Sequence, residues 1–549
     1  MAIKCNRWLF VFVLGVSQTF VFGSTQAAQG AGTHADLVLL FKEFREFVKP
    51  SVTDGVPDYT QAAMNEHRAS LKRFQDRLSE MDVSAWPVSE QVDYQVVRAE
   101  MNGLDFYHRV LQPWFHNPGY YGTELIPGFP SRGDGIDVFL IEFPLTDDEV
   151  ADLAMQLKAV PKLFDQARQN LSAPARELAK IAIRTKEKKI LMFEDLTERL
   201  KRHHQELVPD AELALAAVRA YRDWLIETQD EMTFPAGVGK ENFNWWMKNV
   251  WLYPKTWEEC MNTAQREYGR AVAYLKLEEN RNRHIPELPY VATEEGHARL
   301  WNKAEDHATR FARTNELFTV PDYLTPSGPH RPWVAHSDRD GECAEFFEQA
   351  ERHDPMAQVG HNHLGHHLDS LRRQRDDRPI RSTRALYGGL RAEAVSTFME
   401  ESAMVAGLHE GWELSPRSRE VIYISLAWRA IRAIAALKMQ SNEFTMDQAL
   451  AYCVKQCPRG WECKEDMDTW YDIEINMLLP GHATTYINGK NEIERLMADR
   501  AMQQGNAFNM KDFFDSFFAS GMIPISLTRW ELTGLDNDVR QFADPPKGL

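Results

Sequence analysis

The sequence predicts an all-α protein, on three observations. Apolar residues recur every three or four positions along most of the 549 residues, runs of alternating β-branched residues are scarce, and several segments start with a helix-capping pattern. Neither a low-complexity linker nor an internal repeat interrupts this pattern. We therefore expect a single large helical domain with a deep central cleft.

The first segment has the features of an export signal. Lys4 and Arg7 precede an apolar run from Trp8 to Gly23, and small residues follow the run. The run is shorter than the roughly 20 apolar residues of a membrane-spanning helix, so we expect a cleaved signal peptide over residues 1–27. A retained anchor is the alternative. Residues 28–549 would then be secreted or lie in the lumen of the secretory pathway, without a membrane span.

Helical spacing and capping signals recur through the mature chain, which we treat as one helical domain with an N-terminal part, residues 28–235, and a second part, residues 236–549. Apolar residues between Leu37 and Val48 follow the helical period. Thr146 to Glu149 and Thr445 to Gln448 have the form of capping boxes. Each of the two should begin a helix.

Two long stretches without helical spacing interrupt this pattern. Gln112 to Asp137 and Pro321 to Gly341 are rich in proline, glycine and aromatic residues. Loops of such length in a compact domain are often functional, so they could form the walls of the cleft. Alternatively, they only cover the core.

Charge limits the classes of partner. The formal net charge is -17, which argues against a nucleic-acid partner because phosphate binding requires a basic surface. One basic stretch contains Arg372, Arg373, Arg375, Arg378, Arg381 and Arg384. We interpret it as a solvated helix end and loop. A peptide or small molecule is the expected partner, and the sequence leaves the oligomeric state open.

Five cysteines follow the signal, which is an odd number for an oxidising compartment. They are Cys260, Cys343, Cys453, Cys457 and Cys463. The last three are close in sequence, which favours a local disulfide, although Cys453 and Cys457 could instead be thiols one helical turn apart. Zinc binding by these three is a weaker alternative. Asn170-Leu171-Ser172 is a sequon for N-glycosylation and predicts a glycoprotein.

Four histidines lie within seven residues, at positions 361, 363, 366 and 367. Imidazole is the most common transition-metal ligand among side chains. In an α-helix, His363, His366 and His367 would share one face, because residues three and four apart are neighbours there. The cluster therefore predicts a metal or catalytic site.

Five short segments follow one another along the chain: Val92-Asp93-Tyr94 leading to Trp114 and Asn117-Pro118, Gly239 to Phe243, Gly365-His366-His367, Glu393 to Glu401, and Pro480-Gly481-His482 through Tyr486 to Gly489. In this order they resemble motifs of the domain of unknown function 885 family. Its members are large helical proteins similar to zinc metallopeptidases of the gluzincin type. The resemblance implies a zinc-metallopeptidase-like fold and a divalent metal, zinc above all.

The resemblance assigns Glu393 to the third-ligand position, beside His361, His363, His366 and His367 as candidate ligands. Three imidazoles and one carboxylate suit tetrahedral zinc, and also open iron or manganese sites. Glu400 lies two helical turns after Glu393, where it could orient a ligand histidine or be only an exposed acid. It is also a catalytic candidate, as a substitute base.

The family's H-E-x-x-P-G-H-H motif is altered in this chain. Its His-Glu corresponds to Gly360-His361, or to His361-Asn362 if the family's proline is deleted, so the motif glutamate is absent. In such peptidases this glutamate is the general base that activates water. Downstream, the family's R-x-x-R-x-x-x-D-x-x-x-H pattern keeps its two arginines, while its Asp and His are replaced by Ala436 and Gln440.

Two further candidates come from the family's P-G-Q-A-x-x-Y-x-x-G segment. Tyr486 could stabilise an oxyanion, and His482, which replaces the family's glutamine, could serve as a substitute base. We expect a secreted, metal-binding protein that hydrolyses peptides or small amides. One alternative is an inactive pseudo-peptidase that binds peptide or protein in the retained cleft. The other is an enzyme that carries out non-hydrolytic metal chemistry.

Overall fold

The computed structural model describes residues 32–48, 50–122, 141–329, 333, 345–382, 388–465 and 467–543. Most regular structure in these ranges is α-helical, which confirms the predicted all-α class. One antiparallel ribbon pairs β1 (Val52–Thr53) with β2 (Val56–Pro57). The expected signal peptide lies outside these ranges. None of the helices within them has the length and apolar character needed to cross a membrane.

The α-helices are numbered in chain order. The first group is α1 (His34–Phe47), α2 (Gln61–Ser79), α3 (Val88–Phe106), α4 (Pro113–His116), α5 (Asp147–Asn170), α6 (Arg176–His203) and α7 (Val208–Thr228). The second group is α8 (Gly239–Asn249), α9 (Trp257–Arg281), α10 (Glu294–Thr314), α11 (Phe346–His353), α12 (Met356–His361), α13 (Leu368–Arg373) and α14 (Gly388–Val405). The third group is α15 (Ser418–Gln440), α16 (Met446–Gln456), α17 (Met467–Leu478), α18 (Thr484–Gln504), α19 (Met510–Ala519), α20 (Ile525–Thr533) and α21 (Val539–Ala543).

Both predicted capping boxes are confirmed. The Thr146 hydroxyl accepts from the Glu149 backbone amide, and the Glu149 carboxylate accepts from the Thr146 amide at the start of α5. Thr445 and Gln448 make the same exchange at the start of α16. Such a cap stabilises a helix by about 1 kcal/mol because it satisfies amides that have no partner within the helix.

Helix α15 lies at the centre of the second part. All its residues except Arg419 and Lys438 are buried. A helix that is buried on all sides must be surrounded by other elements. Helices α9, α14, α16, α17 and α18 pack around it. This arrangement brings two arginines of α15, Arg429 and Arg432, into the interior, where they require charged or polar partners.

The largest apolar core contains residues from both parts of the mature chain. It includes Phe41 and Val96 from residues 28–235, and Trp246 and Leu437 from residues 236–549. The two parts are therefore packed against each other through one continuous set of buried side chains.

The two long stretches are only partly described. Gln112 to Asp137 contains α4 and a 3-10 turn, Pro118–Tyr120, and it buries Trp114 and Tyr121 in the core. Its residues from 123 on lie outside the described ranges. In the second stretch, residues 321–329 are irregular, and they contact α10 and the histidine-rich segment. A role of either stretch as a cleft wall stays a prediction.

The interpretation of the arginine stretch as a solvated helix end and loop is wrong for two of its members. The Arg381 side chain is only 2% exposed and forms ion pairs with Asp93 and Glu531. The Arg372 guanidinium lies 3.6 Å from the centre of the Phe518 ring. Ion pairing and an aromatic neighbour let these guanidiniums leave water, which charge patterning alone does not reveal. Arg384 lies outside the described residues.

The predicted local disulfide is wrong, because Cys463 is disulfide-bonded but not to either of the other two cysteines of that region. Cys453 and Cys457 are buried thiols one helical turn apart, as in the alternative, and Cys260 is a buried thiol as well. Cys343 lies outside the described residues. The Asn170 side-chain amide donates to the Tyr59 carbonyl at 2.9 Å and to the Tyr121 hydroxyl at 2.8 Å. A glycan would replace one of the two hydrogens on this nitrogen and break at least one of these bonds, so the local geometry does not favour the predicted glycosylation.

Candidate metal centre

The histidine-rich segment is not a continuous α-helix. Helix α12 ends at His361, a π-helix spans Asn362–His367, and α13 continues from Leu368. In an α-helix, residues five apart point roughly 140° away from each other. A π-helix has hydrogen bonds between residues five apart, so such residues become neighbours on one face. His361 and His366 therefore converge, and their Nε2 atoms lie 3.1 Å apart.

Two glycines bring this segment close to α14. A β-carbon on Gly365 would lie 2.4 Å from the Ser396 Oγ and 2.8 Å from the Ser396 Cα. One on Gly360 would lie 3.4 Å from the Glu400 Cα. The two glycines are five residues apart, so both lie on the side that packs against α14. Their missing side chains allow α14 to present Glu393 and Glu400 to the histidines.

His361, His366 and Glu393 form a compact donor set. Glu393 Oε2 lies 3.2 Å from His366 Nε2 and 3.6 Å from His361 Nε2. All three donor atoms are within 4.8 Å of one another. Two imidazoles therefore lie close enough to the Glu393 carboxylate to share one ion with it, as expected if Glu393 and the histidines are ligands of the same metal.

These separations fit a single metal ion. Tetrahedral zinc with ligands at 2.0–2.2 Å requires roughly 3.3–3.6 Å between ligand atoms. The three observed separations, 3.1, 3.2 and 3.6 Å, agree with that range within a few tenths of an ångström. Two imidazoles and one carboxylate are also a donor set that zinc accepts. The chemistry and the spacing of the three side chains are therefore compatible with zinc.

Without a metal, hydrogen bonds hold the same three groups together. Burial lowers the pKa of His366, but the neighbouring Glu393 carboxylate outweighs this and raises it. Burial likewise opposes ionisation of Glu393, yet His366, His482 and Arg432 bring its pKa down to about 2. His366 Nε2–H can then donate to Glu393 and to His361 Nε2. A metal would have to displace this proton, since only an unprotonated imidazole nitrogen can be a ligand.

Glu400 contacts His361 at Nδ1, the ring nitrogen that does not face His366 and Glu393. Its Oε1 lies 2.6 Å from His361 Nδ1 and 2.6 Å from Arg429 Nη2. Arg429 Nη2 also lies 3.1 Å from this Nδ1. In the tautomer with its hydrogen on Nδ1, His361 donates to the Glu400 carboxylate, and the lone pair of Nε2 points toward His366 and Glu393. Burial raises the pKa of Glu400 to about 7, and Arg429 acts in the opposite direction. A carboxylate in this position fixes the tautomer and the ring orientation of a ligand histidine.

A second group of side chains lies beside Glu393. The ring of His482 meets the ring of Tyr486 edge-on, with 5.9 Å between centroids, and His482 contributes to the electrostatic environment of Glu393. Burial lowers the pKa of His482 to about 4, so its imidazole is neutral at pH 7. Burial raises the pKa of Tyr486, so its phenol keeps its proton. Arg432 lies 4.7 Å from the centre of the Tyr486 ring and forms an ion pair with Asp472.

The expected grouping of His363, His366 and His367 on one α-helical face is wrong because the π-helix changes which residues are neighbours. His363 Nε2 lies 2.9 Å from Thr309 Oγ1, and its Nδ1 lies 3.7 Å from Glu305. His367 Nε2 lies 2.9 Å from the Thr325 carbonyl oxygen. These two histidines contact α10 and the loop that follows it, rather than Glu393.

Sequence reasoning placed Arg429 and Arg432 in a family pattern without giving them a role, and it did not identify Asp472. Arg429 neutralises Glu400, while Arg432 joins Tyr486 to Asp472. The available signal was two arginines, three residues apart, in a run of otherwise apolar residues. Such a pattern indicates charges that are buried with partners.

Two solved bacterial structures share this fold. One is described as a "putative lipoprotein of unknown function" from Shewanella oneidensis; it is 15% identical, with a TM-score of 0.70 over 91% of this chain and 99% of that one. The other, a "putative lipoprotein" from Colwellia psychrerythraea, is 14% identical, with a TM-score of 0.66 over 92% and 99%. At such identities the likeness concerns the fold alone.

Comparison at the level of sequence gives the family. No curated protein matches the chain. The model of the family described as "Bacterial protein of unknown function (DUF885)" matches residues 47–284 and 365–532, which is well over half of the chain. The second matched range begins at Gly365 and contains His366, Glu393, Glu400, His482 and Tyr486. The protein therefore belongs to this DUF885 family of bacterial proteins.

Proposed function

We propose that this protein is a zinc-dependent hydrolase that acts, outside the cytosol, on peptides or small amides. The observation that carries the proposal is the set of three donor-atom separations among His361, His366 and Glu393. They match three corners of one tetrahedron. Structural zinc sites use four protein ligands, whereas catalytic sites use three and keep one position open. In the part of the chain that the structure describes, only these three side chains converge as a metal-binding group.

The surrounding residues support a hydrolytic role. When bound, zinc supplies Lewis-acid catalysis to such a reaction. Glu400 keeps His361 in the ligand tautomer. Tyr486 remains a hydrogen-bond donor at neutral pH and would stabilise negative charge that develops on a substrate carbonyl oxygen. His482 is a neutral imidazole beside Glu393 and is the candidate proton acceptor.

The geometry also favours one of the two alignments with the family motif. His361 shares the donor set with His366, so His361 corresponds best to the first histidine of H-E-x-x-P-G-H-H. Asn362 then occupies the position of the glutamate, and an amide cannot accept a proton from water near neutral pH. Glu400 is the other candidate for the missing base: its Oε1 is engaged by His361 and Arg429, but its Oε2 is buried without a hydrogen-bond partner among the described residues.

The absence of a titratable group at position 362 supports a second candidate function. A pseudo-peptidase would keep the metal and the substrate surface but bind peptide or protein without cleaving it. Removing a positioned general base typically costs about 10²- to 10⁴-fold in rate. We therefore expect at most slow hydrolysis, and the second function applies if none is found.

Export from the cytosol is supported by three observations. The first 27 residues have the pattern of a signal peptide. The two similar structures are described as putative lipoproteins, a class attached to the bacterial envelope. Cys463 is disulfide-bonded, and disulfides are typical of oxidising compartments. Fractionation of bacterial cells, with N-terminal sequencing of the mature protein, tests this location.

The metal centre is tested by metal analysis of the purified protein and two matched variants. His366→Ala should lose bound zinc, because it removes one of three ligands. His367→Ala changes the next residue, also a histidine, but removes contacts with Thr325 and His363 rather than a ligand, so it should keep zinc. Equal zinc content in both variants would refute the centre.

Activity is tested by digesting a peptide library with zinc-loaded and chelator-treated protein. Cleavage that the chelator abolishes and zinc restores supports the hydrolase. Peptide binding without cleavage, measured by calorimetry on the zinc-loaded protein, supports the pseudo-peptidase instead. If the protein holds zinc but neither cleaves nor binds peptide, both functions are refuted.

A further inference from the structure

The arginine stretch lines a cavity next to the candidate metal centre. This cavity has a volume of about 450 Å³ and contains Arg372, Arg373, Arg375 and Arg378 in its walls. Volumes of 300–1,000 Å³ are typical of sites for small organic molecules. The other walls come from the loop after α10 and from the end of α19, through residues such as Tyr323 and Phe518.

Most acidic groups in these walls already have partners. Asp369 is paired with Arg391 at 2.7 Å, and Asp376 with Arg378 at 2.6 Å. Asp515 accepts hydrogen bonds from the backbone amide and the hydroxyl of Thr319. None of these three carboxylates forms an ion pair with Arg372. With Asp377, the walls contain four aspartates and four arginines, so the cavity as a whole carries no net charge, and Arg372 is a cation in it that has no ion pair with a described residue.

Arg372 is a partly buried charge that forms no ion pair with a described residue, although Asp369 and Asp515 act on it from a greater distance. Its guanidinium packs on the Phe518 ring at 3.6 Å and lies 5.6 Å from the centre of the Phe318 ring. Its Nη1 is buried and has no hydrogen-bond partner among the described residues. Burial lowers the pKa of Arg372 to about 10, so the group still carries its charge at neutral pH. A guanidinium stacked on an aromatic ring keeps its edge free for a planar anion.

A buried polar group without a partner is costly, and such groups in native proteins usually have a role or a ligand. We propose that this cavity is a binding site for a compact organic oxyanion, a carboxylate or a phosphate, which is held by the free edge of Arg372. A carboxylate or phosphate would accept from Nε and Nη2, which are not buried, in the bidentate geometry that arginine prefers, while Nη1 points into the protein. Arg375, whose guanidinium lies 3.9 Å from the centre of the Tyr323 ring, adds a second positive charge at the exposed side.

Asp369 links the cavity to the candidate metal centre, because it lines the cavity and its charge acts on His366. Asp369 follows His366 by three residues, and its partner Arg391 precedes Glu393 by two. Arg372 follows His366 by six residues, which is about 9 Å along a helix axis. An extended peptide spans that distance in two to three residues. A substrate with a free carboxylate, such as a short peptide, would therefore fit both places. The binding of one substrate at both places rests on the proposed function, whereas anion binding at Arg372 does not.

The test uses full-length mature protein treated with a chelator, so that the outcome does not depend on the metal. The probes are N-acetylglycine, its uncharged amide N-acetylglycinamide, and inorganic phosphate, and calorimetry measures the binding. The wild type should bind N-acetylglycine or phosphate but not the amide. The probe that binds more tightly distinguishes a carboxylate ligand from a phosphate ligand. No binding of either anion by the wild type would overturn the proposal.

Arg372→Met should raise the dissociation constant at least tenfold, which is the loss expected for one charge-assisted hydrogen-bonded contact. Arg77→Met is the matched control, because Arg77 also lies over an aromatic ring, that of Phe74, but on α2. It should bind the probes as the wild type does. If Arg372→Met does not fold, Arg372→Lys is used instead. Lysine keeps the positive charge but lacks the planar guanidinium that donates two parallel hydrogen bonds. Wild-type affinity in the folded variant would refute the assignment to Arg372.

Failure of the two proposals can be distinguished. Anion binding without zinc in the purified protein refutes the metal centre and leaves the oxyanion site. Zinc binding and peptide cleavage, with the same rate for N-acetylated dipeptides and their C-terminal amides and no anion binding, refute the oxyanion site and leave the hydrolase.

Discussion

Gly365 and Ser396 pack so closely that no β-carbon fits between them. A β-carbon on Gly365 would lie 2.4 Å from Ser396 Oγ and 2.8 Å from its Cα. Contacts this short require the backbone of the π-helix or of α14 to move. The contact places the histidine segment on α14, so the stability of the fold and the geometry of the candidate metal centre depend on the same glycine.

Gly365→Ala should therefore destabilise the protein by about 1–3 kcal/mol or more, as overpacking of a tight core does. It should also weaken zinc binding, because His366 is the next residue. Urea unfolding and metal analysis measure the two effects. Gly269→Ala is the control, since Gly269 lies exposed in α9 with nothing within 4 Å of a β-carbon. That change should be neutral or stabilise the protein by up to about 1 kcal/mol. Equal stability of the two variants would contradict the close packing.

Glu400→Gln should weaken zinc binding about 10- to 100-fold without removing any ligand. The glutamine would lose the charge that orients His361 and neutralises Arg429. Competition with a chelator of known affinity measures the change. Glu401→Gln is the matched control, because Glu401 is paired with Arg270 and Lys490 and does not contact His361. It should lower stability but keep the zinc affinity. Unchanged affinity in Glu400→Gln would mean that Glu400 does not support a ligand.

Stability should fall in mild acid because His409 is buried as a neutral base. Burial lowers its pKa from 6.5 to about 3, and its Nδ1 lies 2.7 Å from the Ser418 hydroxyl. The unfolded state therefore binds the proton more tightly, so the stability present above pH 6.5 is lost as the pH falls toward 3. From pH 7 to pH 5, this one histidine should lower the free energy of unfolding by about 2 kcal/mol.

Urea unfolding at pH 7 and pH 5 measures this dependence. His409→Gln should be less stable than the wild type at pH 7. Between pH 7 and pH 5, however, its free energy of unfolding should fall by about 2 kcal/mol less than that of the wild type. The exposed His284 provides the control, and His284→Gln should keep the pH dependence of the wild type. An unchanged dependence in His409→Gln would show that other groups are responsible.

The sequence was sufficient to predict the helical class and the start of two helices, because capping and helical period are local properties. The order of the family-like segments was sufficient to relate Glu393 to the histidines. The π-helix was not predictable, because the same four histidines fit an α-helix equally well and only the hydrogen-bond register separates the two. The pairing of Glu400 with His361, and the burial of Arg372 under Phe518, depend on contacts between segments far apart in sequence.

Tyr486→Phe should keep zinc bound but lower kcat for any peptide that the wild type cleaves. Burial keeps the phenol of Tyr486 protonated, so it can donate to a developing oxyanion, and phenylalanine removes that donor together with the oxygen that accepts from Arg432. Loss of one such donor costs about 10²- to 10³-fold in kcat. Kinetics at saturating substrate, with zinc content measured in the same samples, test this. An unchanged kcat would limit Tyr486 to packing beside Arg432.

Introducing the family's glutamate should not create an ordinary peptidase. Asn362→Glu adds a carboxylate next to His361, but position 436 is a buried alanine, and the amide of Gln440 donates to the carbonyls of Asn476 and Met477. The family's Asp and His at those two positions would remain absent. The gain in kcat/KM should therefore stay below the about 10²-fold that a positioned general base contributes.

His482→Gln provides the complementary measurement. If His482 is the proton acceptor, this variant should lose about 10²- to 10⁴-fold of the wild-type rate at equal zinc content. Peptide hydrolysis by zinc-loaded wild type, Asn362→Glu, His482→Gln and the double variant separates the two candidate bases. A gain above 10²-fold in Asn362→Glu would mean that the missing glutamate alone limits the reaction. It would also remove the reason to assign the proton transfer to His482.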